Sequence, residues 1–446
     1  MLRFKKSTIA LAMAVSLAAS LFGQDKTEKK REWKDRAEYD LYESIVKTQD
    51  PNQWLTALNN WKQQYPESDY ADVRRQLYLE TYRALNKPGE AFVAAQDVLK
   101  ENPDNLVALS AIVGYIYALV PAGTPLTPSQ DADLSIAGQA AQTILDNTDA
   151  IYSKQNRPAA MTDAQAESAK PALRAFAQKT LGYIALERKD YPKAQSELTR
   201  ALRLDPSQGQ VSFWLAEAIL AQNKEHPDTQ AVALYDFARA AAYSGTGALP
   251  ANDRRQVQDY LTKVYTQYHG SADGLDKLMA QASTQALPPN GFTIKSKADL
   301  DREKIEADEA AARANPMLAL WKSIRQELIS DGGAAYFENN MKGAALPGGV
   351  NGITKFEGRL ISMKPPVRPR ELVLAIENPN TPDVTVKLEA PLPGKMEPGA
   401  EIGFDGVADS YTKDPFMVTF TVDRSHIEGW TGKNAPVHRG RSAALH

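Results

Sequence analysis

Hydrophobic positions along the chain change their period once, near residue 353, and the change predicts two kinds of structure. Before it, apolar residues recur at intervals of three and four, as they do in amphipathic helices. After it, apolar and polar residues alternate, as they do in half-buried strands. The sequence therefore predicts a mainly α protein, in which a long helical region is followed by a small all-β domain.

Proline and glycine punctuation divides the helical region into about six helix pairs. Tyr191, Ala194, Leu198 and Leu202 show the pattern, because their spacing places them on one apolar stripe of a single helix. A lone pair cannot bury such a stripe, so we expect the pairs to stack into an α-solenoid. The predicted pairs are 34–47 with 52–64, 69–85 with 88–101, 105–119 with 130–147, 170–188 with 191–204, 208–223 with 228–243, and 251–268 with 271–284.

The region after residue 353 contains about five predicted strands. The segment Glu371 to Ile376 is apolar on both faces, which is typical of a central strand. The order of a long hairpin, a third strand and a second hairpin is similar to that of the five-stranded OB-type barrel. A β-sandwich is the alternative arrangement.

Small residues recur at fixed positions in the 34-residue window from Ala175 to Gln208. Gly182, Ala194 and Ala201 occupy window positions 8, 20 and 27, and Pro206 occupies position 32. Small side chains at positions 8 and 20 allow two antiparallel helices to approach closely, and position 27 makes room for the next pair. Proline at position 32 ends the second helix.

These spacings resemble the tetratricopeptide repeat. A second window, 72–105, carries Ala91 and Pro103 at positions 20 and 32, although larger residues replace the other small ones. The resemblance implies that the array holds a peptide or protein partner with the first helix of each pair. It thereby implies partner contacts at Tyr78, Tyr82, Tyr183, Trp214 and Glu217.

The first 24 residues are predicted to form a cleavable export signal. Arg3, Lys5 and Lys6 precede an uncharged run from Ser7 to Phe22. That run is shorter than the roughly 20 residues of a membrane-spanning helix, so cleavage is favoured over an uncleaved anchor. The chain contains no cysteine, which excludes disulfides, thiolate metal sites and a lipid-modified cysteine. We therefore expect an exported protein, periplasmic or secreted, without a membrane span after signal removal.

Composition and periodicity together predict four further segments. The helical array occupies 25–286, and a charged linker helix and a docking helix occupy 287–343. The docking helix carries Trp321 and is expected to pack on either the last helix pair or the next domain. The β domain occupies 344–432, and a flexible tail occupies 433–446.

The sequence carries no recognisable catalytic or cofactor-binding motif. The five histidines lack the spacing of a zinc site, and no nucleophile elbow or phosphate-binding glycine loop occurs. Paired carboxylates such as Asp405 and Asp409 have no neighbouring feature that marks an acid and a base. We therefore expect no cofactor, no metal and no enzymatic activity.

Charge also limits the class of partner. Lys and Arg number 52 against 55 Asp and Glu, a formal net charge of −3, and the predicted strands carry no dense basic cluster. Both observations argue against a nucleic-acid partner. The sequence thus predicts an exported, non-enzymatic scaffold that binds a protein or peptide partner of the cell envelope, with the β domain as a second contact. The alternative is an envelope hydrolase with a carboxylate site that leaves no short motif.

Overall fold

The computed structural model describes residues 31–433, and the chain divides between Lys297 and Ala298 into two compact units. The described part of the first unit is helical, and the second contains helices and a curled sheet. The predicted fold class, a helical region followed by a small β domain, is confirmed. The predicted export signal, 1–24, and all but the first residue of the predicted tail, 433–446, lie outside the described residues.

The first unit is an array in which most long helices pack on their neighbours along the chain, while α13 packs on α11 and α8 also contacts α5 and α10. No helix within residues 31–433 has the length and hydropathy that a membrane crossing requires. The helices are α1 (Arg36–Lys47), α2 (Pro51–Gln64), α3 (Ala71–Ala84), α4 (Pro88–Leu99), α5 (Leu106–Leu119), α6 (Pro128–Asp146), α7 (Thr148–Ile151), α8 (Asp163–Glu187), α9 (Tyr191–Leu204), α10 (Gly209–Ala221), α11 (Gln230–Ala242), α12 (Ala251–His269) and α13 (Leu275–Thr284).

Helix α8 begins at Asp163, whereas periodicity and proline and glycine punctuation predicted a start at residue 170. The structure places Pro171 inside the helix. The start is fixed instead by a capping box, in which the Gln165 amide N–H donates to the Thr162 hydroxyl and the Thr162 amide donates to the Gln165 side chain. The cap satisfies N–H groups that would otherwise be free at the helix start. Pro171 lacks the N–H of one backbone hydrogen bond further along the helix.

Helices α8 and α9 approach each other closely at Gly182. A Cβ atom at this position would lie 2.6 Å from both Cγ and Cδ2 of Leu198 on α9. Ala194 and Ala201, also on α9, are buried, as is Ala91 on α4. Pro103 and Pro206 lie in the turns that follow α4 and α9. The interhelical distance is therefore set by the missing side chain of Gly182.

The second unit begins with a helix of 18 residues that has no buried residue, and a second helix then packs on the sheet. The sheet has eight strands rather than about five, partly because two strands have only two residues each. The elements are α14 (Lys297–Ala314), α15 (Pro316–Ile329), α16 (Gly333–Tyr336), β1 (Ala345–Leu346), β2 (Phe356–Lys364), β3 (Glu371–Ala375), β4 (Val384–Leu388), β5 (Glu401–Phe404), β6 (Gly406–Lys413), β7 (Phe416–Val422) and β8 (Ile427–Glu428).

One bent segment makes the sheet curl. Strands β2, β3 and β4 form an antiparallel meander, and β7 lies parallel to β4. Only Asp405 separates β5, which pairs with β2, from β6, which pairs with β7. Since β5 and β6 are consecutive, the two sides of the sheet are drawn toward each other. The result is one curled sheet rather than the two stacked sheets of a sandwich.

Helix α15 fills the interior of the curled sheet with Trp321. Its ring is fully buried and lies 5.3 Å, centroid to centroid, from that of Phe356. The indole N–H donates to a carboxylate oxygen of Asp383 at 2.9 Å. The other Asp383 oxygen accepts from the backbone N–H of Ile376, so this buried carboxylate is well satisfied. The docking helix therefore packs on the β domain, one of the two positions expected from the sequence.

We expect Gly182→Ala to destabilise the helical unit. The added methyl group overlaps Leu198, at a cost of about 1–3 kcal/mol, which exceeds the gain of up to about 1 kcal/mol from better helix propensity. Gly138→Ala on α6 is the matched control, since its Cβ would lie an ordinary 3.6 Å from Ile184. Urea denaturation should show a lower free energy of unfolding for Gly182→Ala and an unchanged or higher one for Gly138→Ala. Equal effects would contradict a close contact at Gly182.

Candidate functional site

The partner contacts implied by the sequence lie in two separate places. Tyr78 and Tyr82 of α3 are half-buried and stack with 6.0 Å between their centroids. Tyr183 and Trp214 are buried, at 1% and 6% exposure, on α8 and α10, and Glu217 is half-buried on α10. Among the described residues, no ring contact joins the α3 pair to Tyr183. Their role as partner contacts remains a prediction.

Three helices contribute the rings around Tyr183. Tyr117 of α5 lies 4.8 Å from Tyr183, and Trp214 of α10 lies 4.9 Å from it, centroid to centroid. Tyr117 and Trp214 themselves stack at 5.9 Å with nearly parallel planes. Because α5, α8 and α10 are the first helices of successive pairs, these rings occupy one continuous face of the array. We call the following set the Lys179 cluster: Tyr117, Lys179, Tyr183, Glu187, Trp214 and Glu217.

Hydrogen bonds fix two of the rings in place. The Tyr117 hydroxyl lies 2.8 Å from the hydroxyl of Thr180 on α8. The Tyr183 hydroxyl donates to the backbone carbonyl of Val120, directly after α5. Burial raises the pKa of both tyrosines, so both remain neutral hydroxyl groups at physiological pH. The rings therefore form a rigid, uncharged surround for the group between them.

That group is the ammonium of Lys179. Its Nζ atom lies 5.5 Å from the ring centroid of Tyr117 and 5.6 Å from that of Trp214, within the range of cation–π interactions. The side chain is only 8% exposed and makes no salt bridge with a carboxylate of residues 31–433.

Burial alters the charge of this lysine. Desolvation lowers the pKa of Lys179 to about 8, and the negative charge of Asp205 opposes the shift. Asp205 is itself engaged by Ser207 and Gln208, so it supplies no direct counter-ion. At neutral pH the cluster thus holds a mostly protonated amine that no anion of the described chain neutralises.

Two carboxyl groups lie on the same face. Burial raises the pKa of Glu187 on α8 to about 7, although a hydrogen bond from the Gly123 amide at 3.2 Å opposes the shift. Burial also raises the pKa of Glu217 on α10 to about 7, and the charge of Glu187 adds to the effect. Each carboxyl is therefore close to half-protonated at neutral pH, and each can donate or accept a proton.

Sequence reasoning found Tyr183, Trp214 and Glu217 but missed Lys179 and Glu187. A usable signal was present, because Lys179 and Glu187 lie four residues before and after Tyr183 and therefore share its helical face. What the sequence did not reveal is burial. A lysine on a helix is normally solvated, and only Tyr117 and Trp214 from other helices make Lys179 an exception.

Two other features of the described residues, a surface cleft and the metal-ligating side chains, provide no candidate site. A shallow cleft of about 350 Å³ between α1 and α2 has no titratable group in its lining. No cluster of three or more metal-ligating side chains occurs within residues 31–433. The cleft is lined by Leu41, Ser44, Asn52, Gln53, Thr56, Ala57 and Asn60.

The sequence matches no protein-family model, and no curated protein is significantly similar to it. Function is therefore inferred from the residues and the geometry of the described chain. Of its features, the Lys179 cluster alone combines aromatic surface, a buried charge without a counter-ion and two carboxyls of altered pKa.

We expect Lys179→Met to stabilise the protein at neutral pH. The lowered pKa, about 8 instead of 10.5, corresponds to a net cost of about 3 kcal/mol for holding the charged rather than the neutral amine in the folded protein. Methionine fills similar space without charge, so the net gain in the free energy of unfolding should be up to about 3 kcal/mol.

The pH dependence of this gain has a definite sign. Below pH 8 the lysine is protonated in both states, and the full cost applies. Between pH 8 and 10.5 the folded state loses the proton first, so wild-type stability rises and the advantage of Lys179→Met shrinks. Denaturation at pH 7 and pH 9.5 measures both effects, with exposed Lys193→Met on α9 as the control. A Lys179→Met protein that is less stable at both pH values would contradict the assigned burial cost.

Proposed function

We propose that the protein is an exported, non-enzymatic scaffold that binds a protein or peptide partner. The partner lies against the face formed by α5, α8 and α10, and the β domain provides a second contact. The observation that carries this proposal is the Lys179 ammonium, which is buried between two rings and has no counter-ion among the described residues.

The positive charge of Lys179 indicates which chemical groups the partner carries. A buried charge without a partner is unfavourable, and an anionic group that pairs with it gains much of that energy back on binding. Tyr117 is half-buried, and the exposed part of its ring offers a surface to apolar or aromatic side chains. An acidic peptide segment with neighbouring apolar residues fits this combination.

We also propose that the array is of the tetratricopeptide type. The spacing of Gly182, Ala194, Ala201 and Pro206 supports this, together with the close contact of α8 and α9 at Gly182. In this view the first helices of successive pairs carry the partner face. The positions of Lys179, Tyr183 and Trp214 on α8 and α10 agree with it.

The predicted export signal supports the proposal that the partner belongs to the cell envelope. The protein is proposed to act in the periplasm or after secretion, where a partner segment reaches it without crossing a membrane. Detection of the chain in the cytoplasmic fraction alone, after gentle fractionation of the native cells, would contradict this location.

A peptide library displayed on phage tests the proposed binding face. We expect selection on the wild-type full chain to enrich acidic sequences with adjacent apolar residues. Lys179→Met should bind the enriched peptides at least about 30-fold more weakly, since removal of one member of a desolvated charge pair costs about 2–5 kcal/mol. Fluorescence anisotropy with a synthetic enriched peptide measures the ratio.

Lys193→Met serves as the matched control, because it removes an exposed lysine from the neighbouring helix α9. It should bind the peptide as the wild type does. If Lys179→Met and Lys193→Met both retained wild-type affinity, the peptides would bind elsewhere and the proposed face would be wrong. Enrichment of basic peptides would contradict the proposed partner chemistry.

A second candidate function is an envelope hydrolase, and the pair Glu187 and Glu217 favours it. Burial raises the pKa of both carboxyls to about 7, and the charge of Glu187 adds to the shift of Glu217; two carboxyls of raised pKa are a feature of enzymes that use one carboxyl as acid and one as base. The purified full chain should be assayed against peptide, ester and glycoside substrates. Turnover that is lost in both Glu187→Gln and Glu217→Gln would favour this function over the scaffold, and absence of turnover on all three classes would exclude it for them.

A further inference from the structure

Three segments of the second unit meet at one end of its curled sheet. The hairpin tip 364–370 joins the loop 392–396 through a bond from the Arg368 amide to the Gly394 carbonyl at 2.7 Å and one from the Leu392 amide to the Pro369 carbonyl at 3.0 Å. The segment 430–433 joins the same loop, because the Trp430 indole N–H donates to the Pro393 carbonyl at 2.7 Å. We call these three segments together the tip surface.

The tip surface has an excess of positive charge. Its five cations are all exposed, and Arg368 and Arg370 form no ion pair with a residue of the described chain. Three carboxylates lie nearby. Glu371 lies opposite Lys364 in the strand register, and Glu397 lies 3.8 Å from Lys395. Glu389 follows Leu388, whose amide donates to the Arg370 carbonyl. The cations are Lys364, Arg368, Arg370, Lys395 and Lys433.

The tip surface also contains apolar side chains. Val367, at the centre of the hairpin tip, is 56% exposed. Pro365 and Pro366, directly before it, are also exposed and carry no backbone N–H that would have to give up water in an apolar medium. Trp430 is half-buried, and its only polar atom is already bound to Pro393.

We propose that the tip surface docks on an anionic lipid bilayer. The cations pair with lipid phosphates, while Val367 and the adjacent prolines enter the headgroup region and Trp430 lies at the interface. Basic residues near an anionic membrane each add to binding, and stable attachment requires a second, apolar contribution. A soluble polyanion would use the cations alone, so the exposed apolar tip favours the bilayer as occupant.

This inference does not depend on the proposed partner face. Lys179 belongs to the helical unit, and the tip surface belongs to the second unit. Lys179→Met should therefore leave lipid binding unchanged, and variants of the tip surface should leave peptide binding unchanged. Failure of one proposal is thus distinguishable from failure of the other.

Vesicle sedimentation tests the docking. The full chain is mixed with vesicles of phosphatidylglycerol and phosphatidylcholine, or of phosphatidylcholine alone, at low and high salt. We expect salt-sensitive binding to the anionic vesicles and weaker binding to the neutral ones. The double variant Arg368→Gln/Arg370→Gln should lose about 30-fold in affinity, and Val367→Thr should lose about four-fold. Since the apolar run from Ser7 to Phe22 is present in every variant, its own contribution cancels.

The control is Lys304→Gln/Lys322→Gln, which removes two exposed lysines from α14 and α15 of the same unit. It should retain wild-type binding, and thermal unfolding should show that all variants fold alike. If both double variants lost equal affinity for the anionic vesicles, net charge alone would explain the binding, and the assignment to the tip surface would be wrong. Binding insensitive to Val367→Thr, or equal binding of soluble polyglutamate, would identify a soluble polyanion as the occupant instead. Absence of preference for anionic vesicles would also overturn the proposal.

Discussion

The close approach of α8 to α9 at Gly182 is the constraint on which the helical unit and its candidate site depend. With no side chain at Gly182, Leu198 packs directly on the α8 backbone, and one face of α8 is committed to α9. Lys179, Tyr183 and Glu187 follow one another at intervals of four residues along α8. Tyr183 contacts Tyr117 of α5 and Trp214 of α10.

The Lys179 cluster keeps groups that do not favour folding. An ammonium without a counter-ion and two half-buried carboxyls all lose hydration, and the altered pKa values of Lys179, Glu187 and Glu217 record that loss. The rings of Tyr117 and Trp214 return part of the energy through cation–π contacts. A site that is less stable than an apolar equivalent is typical of surfaces whose role is binding or catalysis rather than folding.

The sequence predicted the larger features of the fold because they depend on periodicity. The helix pairs and the β domain follow from apolar spacings of 3.6 and 2, and Gly182 stood out in the repeat window. The predicted start of α8 at residue 170 was wrong because a capping box at Thr162 and Gln165 starts the helix at Asp163. The predicted number of strands was too low because only Asp405 separates β5 from β6. These two strands are distinct because β5 pairs with β2 and β6 pairs with β7. Lys179 was missed because its burial arises from helices distant in sequence.

The central claim is that the Lys179 ammonium receives an anionic group of the partner. Its pKa can be measured directly by NMR from the chemical shift of the lysine Cε carbon, without and with a bound acidic peptide. The structure predicts a pKa of about 8 in the free protein and a marked rise on binding, because an anion stabilises the charged form. An ordinary lysine pKa in the free protein, or a value that the peptide leaves unchanged, would contradict the account.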